Sequence, residues 1–272
     1  CRSERPDIVV HAAALKHVPL MERHVCEAIL TNVAGCMNVA RAAAQAGTRH
    51  MVFISTDKAV DPDNVMGATK RIAEIAAARI GRQAGMTVSL VRFGNVLGSS
   101  GSVVPLFNEQ IEAAGPVTVT HPDVTRYFMT VEEAAALTLQ AAALQEIGDP
   151  PSLFVLDMGE PVRIEALAEE MIRLRGLVPG VDIKITHTGL RPGEKLHESL
   201  AYDFEDIAPT RIDGVLRVRG VNGVAEDFDL TLASLVRAAN RREHTEALRL
   251  LGRLVPQYDS NRVRSQEKAA GA

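Results

Sequence analysis

The sequence predicts an α/β fold, a doubly wound parallel sheet with a smaller C-terminal lobe. Three observations carry that expectation. Short β-branched runs alternate with helical patterns from Asp7 to Phe93, and turn residues such as Gly47 and Gly85 fall between them. After Gly94 the rhythm changes to longer loops and short strands. Strand, crossover helix and strand in repetition build a parallel sheet covered on both faces.

Taken in order, Asp7–Ala14 (DIVVHAAA) reads as a buried strand, and Val25–Ala46 as an Ala-rich helix ended by Gly47. Arg49–Ser55 is a second strand. Asn64–Gln83 is a helix, and Thr87–Phe93 a third strand. Ligands of such sheets bind beyond the carboxyl ends of the strands, so the segments after Ala14, Ser55 and Phe93 should share one crevice. Further on, Thr130-Val-Glu-Glu133 is a capping box opening a helix over Val131–Gln145. Leu153–Asp157 and Asp182–Thr186 read as strands flanking a helix, Arg163–Arg175. Leu230–Asn240 and Glu243–Leu254 read as helices. The expected division is residues 1–93 for the sheet and active-site segment, 94–256 for a substrate-binding lobe mixed with elements returning to the sheet, and 257–272 for a frayed tail.

Composition narrows the function classes. The chain is 46% hydrophobic and 24% charged, which fits a globular protein. A net charge of −4 and the absence of Trp leave little to gather or stack nucleic acid. The basic residues Arg241, Arg242, Arg249 and Arg253 alternate with Glu243 and Glu246, as on a solvated helix face. Three cysteines, none in a CxxC, favour a reduced cytoplasmic setting. The longest apolar run, Ala134 to Ala143, falls short of the roughly 18 residues of a membrane span. The histidine spacings, His197-Glu198 included, indicate no metal site.

The densest polar cluster is Ser55-Thr56-Asp57-Lys58, followed by Asn64-Val-Met66-Gly-Ala-Thr-Lys70. A hydroxyl, a carboxylate and an ammonium at a strand's carboxyl end can serve as donor, acid and base. In isolation the same residues also read as a solvated polar loop.

The stretch STDKAVDPDNVMGATKR (Ser55–Arg71) resembles the active-site segment of the extended short-chain dehydrogenase/reductases that modify nucleotide sugars. It is most similar to bacterial polysaccharide-biosynthesis 4,6-dehydratases acting on UDP-N-acetylglucosamine. The segments His11–His24, Asn32–Ala43, Arg92–Phe107, Thr125–Ala135 and Leu190–Glu198 resemble that family in the same order. The resemblance implies a Rossmann-type fold, bound NAD or NADP and a UDP-sugar substrate. It also implies that the glycine fingerprint and about three strands lie upstream of Cys1. Family members with Met at position 66 carry a membrane region at the inner membrane's cytoplasmic face, and a homo-oligomer is compatible with the resemblance.

The family's usual Tyr-x-x-x-Lys is Met66-x-x-x-Lys70 here, and a thioether has no proton to exchange. The resemblance then puts Thr56 at the C4 oxygen, Asp57 as the acid for the C6 hydroxyl, and Lys58 as the C5 base. Lys58 can act so only if burial or a cation such as Lys70 lowers its pKa. Lys70 would also hold the nicotinamide ribose. His11, Ala13 and Ala14 would lie against the cofactor, with Asn32 supporting the active-site strand. Lys16, Asn95, Ser102 and Val103 would meet the sugar nucleotide. Arg126 and Arg191 are candidates for its pyrophosphate, and Glu194 for the uridine ribose. The acceptor of the C4 hydroxyl proton is open. A UDP-sugar epimerase of the same fold and a non-catalytic sugar-nucleotide-binding remnant are the alternatives.

Overall fold

The computed structural model describes residues 1–99, 101–219 and 227–258. Its main sheet has the order β1-β2-β3-β8-β12-β11. The strands are β1 (Ile8–His11), β2 (His50–Ile54), β3 (Thr87–Arg92), β8 (Ser152–Leu156), β11 (Asp206–Pro209) and β12 (Val215–Arg219). The first four run parallel, in register Ile8↔His50, His50↔Thr87 and Ser89↔Ser152. β12 and β11 turn antiparallel and close that side. The parallel sheet expected from the sequence is present in β1, β2, β3 and β8, with an antiparallel pair added at one side. The 206–219 hairpin carries charges at Asp206, Arg217 and Arg219, which hide its strand pattern from a hydrophobic count.

β2 and β3 are buried almost throughout, as central parallel strands are. β1 is not the buried strand the sequence suggests. Among the described residues it pairs with β2 alone, and Ile8 and Val10 are 58% and 52% exposed.

Helices α1 (Val18–Arg23), α2 (Val25–Ala28) and α3 (Cys36–Gln45) follow β1. The single helix expected over Val25–Ala46 is interrupted by a π-helical segment, Ile29–Gly35, which carries Asn32. Such wide turns often mark functional sites. α4 (Val65–Ala84) has clean ends. The Asn64 side chain accepts from Gly67 N–H at 2.8 Å, and Gly85 closes the helix at φ 67°.

Helices α8 (Phe228–Asn240) and α9 (His244–Leu254) pack back onto α2, the π segment and α4. Phe228, Leu235 and Leu251 join Val25, Ile29 and Ile72 in that core. Tyr258, in the expected frayed tail, is buried there too, and the tail beyond it lies outside the described residues. On the opposite face, α6 (Val131–Ala142) covers β3 and β8, and Thr130 accepts from Glu133 N–H at its start.

The smaller lobe is built from β4 (Asn95–Val96), α5 (Val103–Glu112), β5 (Val117–Val119), β6 (Thr125–Arg126), β7 (Phe128–Met129), β9 (Val162–Arg163), α7 (Ile164–Leu174) and β10 (Ile185–His187). Phe107, Val117, Ile164 and Ile172 form its core. Among the described residues, no helix is long and apolar enough to cross a membrane, and no His, Cys, Asp or Glu group could hold a metal ion.

Candidate active site

The carboxyl ends of β1, β2 and β3 open into a cavity of about 700 Å³ roofed by the smaller lobe. One wall comes from the turn after β2. Thr56 caps the short helix Asp57–Ala59 by accepting from Lys58 N–H. That turn lies hard against the start of α4. A Cβ on Gly67 would stand 2.0 Å from the Lys58 carbonyl oxygen, so only glycine lets the two approach. Met66 and Lys70, one helical turn apart, both reach the cavity.

Three groups form a chain at this wall. Thr56 Oγ1 donates to Asp57 Oδ1 at 2.8 Å, and Lys58 Nζ donates to the same oxygen at 3.0 Å. Lys58 also donates to Asn95 Oδ1 at 3.2 Å, and Glu198 Oε1 lies 3.9 Å from its ammonium. Thr56, Lys58, Asn95 and Glu198 line the cavity. Asp57 does not. It is fully buried behind them, and its Oδ2 has no hydrogen-bond partner among the described residues. The expected acid thus reaches the cavity only through Thr56 and Lys58.

Electrostatics correct the expectation for Lys58. Burial pushes its ammonium down, but the Asp57 and Glu198 carboxylates outweigh that, and the net direction is up. The cation opposing them is Arg126, not Lys70. In this state Lys58 holds its proton. Lys70 goes the other way: burial lowers it to about 8, against the pull of Cys36 and Glu74. Its Nζ donates to Ile54 O at 2.6 Å and sits 4.0 Å from the Phe53 ring centroid.

The β1 side is arranged differently from the expectation. Ala12 and Ala14 line the cavity, as do Lys16 and His17, while Ala13 does not. His11 is buried beneath, 5.8 Å from the Phe53 ring, with Nε2 unpartnered among the described residues. Burial, then Lys70, hold its imidazole below the usual range. Asn32 is also buried. It accepts from Leu15 N–H at 2.7 Å and donates to Leu15 O and Thr69 Oγ1, fixing the segment after β1 to α4.

On the lobe side, Ser102 and Val103 line the cavity at the N-terminus of α5. Ser102 Oγ is buried there without a partner among the described residues. Gly101 (φ 66°) lets this loop approach, since a Cβ there would be 2.4 Å from His17 Cε1. Arg126 and Glu194, expected on pyrophosphate and ribose, are largely committed to each other and to their own loops. Arg126 donates to Glu194 Oε1 at 3.1 Å and to the Thr125, Lys195 and Leu196 carbonyls. Glu194 also accepts from Thr120 Oγ1 and Arg191 N–H. Arg191 lines the cavity and has no side-chain ion pair among the described residues.

Glu198 is the site residue that sequence reasoning passed over. In the sequence it stands beside His197 without a metal-ligand spacing, and it ends the segment Leu190–Glu198 that resembles the family. A second buried cluster was also missed. Arg92 donates twice to Glu74 at 2.8 Å and once to Glu205 at 2.8 Å, while Ser55 and Arg71 complete the Glu74 carboxylate.

Comparison with known proteins places this architecture. A family model described as polysaccharide biosynthesis protein matches residues 1–220. The capsular polysaccharide biosynthesis protein CapD of Staphylococcus aureus is 50% identical over 234 residues, 85% of this chain and 38% of that protein. A UDP-glucose 4-epimerase of Rickettsia akari is 40% identical over 205 residues, 74% of this chain and 58% of that one. The chain therefore spans well under two thirds of these relatives' lengths. The crystal structure of Pen from Bacillus thuringiensis superposes with a TM-score of 0.72 at 33% identity, covering 86% of this chain and 78% of Pen.

Proposed function

From the premise that this chain belongs to the polysaccharide biosynthesis protein family, we propose that it carries the catalytic and substrate-binding machinery of a nucleotide-sugar 4,6-dehydratase acting on a UDP-N-acetylhexosamine. One observation carries the reading. A hydroxyl, an ammonium and a carboxyl (Thr56, Lys58 and Glu198) share a cavity wall with Met66 and Lys70. A 4-epimerase needs no acid for a departing hydroxyl, whereas dehydration needs both an acid and a base.

The residues fit a nicotinamide cofactor, NAD or NADP. The small side chains of Ala12 and Ala14 line the cavity beside the Lys70 ammonium. Lys70 is the residue to hold the nicotinamide ribose, with the segment after β1 as the neighbouring contact. When bound, the cofactor accepts hydride from C4 and returns it to C6.

This chain's side chains supply the rest. Thr56 hydrogen-bonds the C4 oxygen. Asp57 holds Thr56 and Lys58 in place and acts on substrate through them. Lys58 takes the C5 proton only after giving its own to solvent water, which becomes easier when a carboxylate holding that proton is neutralised, because burial then weighs more. Lys16 and Asn95 meet the sugar. Arg191, the Ser102 hydroxyl, which has no partner among the described residues, and the α5 N-terminus beside Val103 suit a pyrophosphate. Arg126 and Glu194 shape that end of the cavity. Residues 1–93 serve the cofactor, and 94–256 supplies the substrate lobe mixed with the elements that return to the sheet.

The test is incubation of the full-length protein with NAD and UDP-N-acetylglucosamine. The expected product is a 4-keto-6-deoxy sugar nucleotide, seen by its new C6 methyl signal. A 4-epimer supports the second reading, which the Rickettsia relative favours. No turnover supports a binding role alone.

A further inference from the structure

We propose that Glu198 is the catalytic carboxylate that takes the hydroxyl proton released when the sugar is oxidised at C4. The inference rests on the dehydratase reading and deepens it. With Met66 where an ionisable side chain is usual, the oxidation lacks an evident proton acceptor.

Among the described residues two carboxyls line the cavity, Glu194 and Glu198. Glu194 is committed to Arg126, Thr120 and the Arg191 N–H. Glu198 has no hydrogen bond among the described residues, only the 3.9 Å approach to Lys58. Its backbone is held from both lobes. Lys195 reaches the Val60 and Asp61 carbonyls beside the active-site turn, Arg126 and Thr125 N–H bind Leu196 O, and Thr125 Oγ1 meets His197 Nδ1. A clamped loop bearing an uncommitted, buried carboxyl is the geometry of an acid–base group rather than of a brace.

The charges facing it are Asp57 and Lys58 from the turn after β2, Arg126 from β6, and Lys195 on its own loop. Burial raises its pKa most. Lys58 opposes, Asp57 adds to the rise, Arg126 and Lys195 oppose, and the net direction is up. A proton taken by Glu198 is therefore held more readily than by an ordinary carboxylate.

The step balances. The C4–H bond breaks with its electron pair leaving as hydride to the nicotinamide. The O4–H bond breaks with its proton going to a Glu198 oxygen, and the C4 ketone forms. That proton then joins the departing C6 hydroxyl, which leaves as water, and Glu198 is ionised again. Neutral Glu198 also withdraws one of the two charges that hold the Lys58 proton, so that Lys58 gives this proton to solvent water before it takes the one from C5.

The experiment is the pH profile of kcat and KM for the full-length protein with NAD and UDP-N-acetylglucosamine. The wild-type rate is expected to fall on the acid side as Glu198 becomes protonated, above the ordinary carboxylate range. Glu198→Gln should lower kcat about a hundredfold or more, abolish that limb and leave KM nearly unchanged. Glu198→Asp should restore part of the rate and the limb. A Glu198→Gln enzyme within about threefold of the wild-type kcat, or one keeping the limb, would overturn the role, the base then being Lys70 or Lys58. A wild type that yields only a 4-epimer refutes the dehydratase reading and this role together. A wild type that dehydrates beside an equally active Glu198→Gln refutes the role alone.

Discussion

Two charge clusters stand side by side at the carboxyl end of the sheet, built from the same kinds of residue and put to opposite uses. In the first, Arg71 and Arg92 balance Glu74 and Glu205. Both Glu74 oxygens carry two donors each, and the Tyr202 ring lies against both guanidinium groups. In the second, Asp57 and Glu198 share one ammonium, Lys58, with one Asp57 oxygen unpartnered among the described residues and Glu198 lining the cavity. Buried charges that are paired and hydrogen-bonded stay ionised and rigid. Two carboxylates around one ammonium favour keeping an extra proton. The first cluster ties the ends of β2 and β3 to the first half of α4. The second is left with a proton to move.

The widest separation between the two should come from deletion. Arg92→Met strands two buried carboxylates and is expected to cost about 3–5 kcal/mol, read by urea denaturation. A loss under about 1 kcal/mol would show that the first cluster is no scaffold.

Acid should act in the same direction. Arg92 and Arg71, with Ser55, overcome the upward push of burial and hold Glu74 down to about 2, against its ordinary value of 4.5. Because the unfolded chain binds the proton more readily, stability rises with pH across that window. Roughly 3 kcal/mol is present above pH 4.5 and lost as the pH falls through 2. Glu74→Gln should flatten that part of the denaturation profile, and a profile unchanged by the substitution would contradict the assignment.

Gly67→Ala tests the contact that brings the active-site turn to α4. With a Cβ 2.0 Å from Lys58 O, the turn must shift. The expected cost is about 1–3 kcal/mol, as for an overpacked core, together with lost turnover. Full activity would mean that the turn tolerates displacement.

The smallest effect should be Glu198→Gln on stability. Folding raises the Glu198 pKa, so the folded state disfavours its charged form, and neutralising it should leave the melting temperature unchanged or higher at pH 8. A clear drop would put Glu198 with the scaffold.

Much of this architecture was legible in the sequence because it is local. The apolar runs of β2 and β3, Asn64 and Gly85 at the ends of α4, and Thr130 at the start of α6 each act within a few residues. Met66 and Lys70 fell on one face through helical spacing. The partnership of Glu198 with Lys58 spans two lobes and leaves no local trace. The burial of Asp57 behind its neighbours follows from the backbone of a single short helix. The reversal of the Lys58 shift depends on which charges meet it in space. The π segment at Asn32 and the antiparallel hairpin 206–219 were hidden because hydrophobic periodicity distinguishes neither a widened turn nor a charged strand.

The most direct test of dehydration at this cavity is the fate of deuterium carried at C4 of UDP-N-acetylglucosamine. After turnover by the full-length protein, the label is expected in the C6 methyl group of a 4-keto-6-deoxy product. Deuterium remaining at C4, in a 4-epimer or in unchanged substrate, would contradict it.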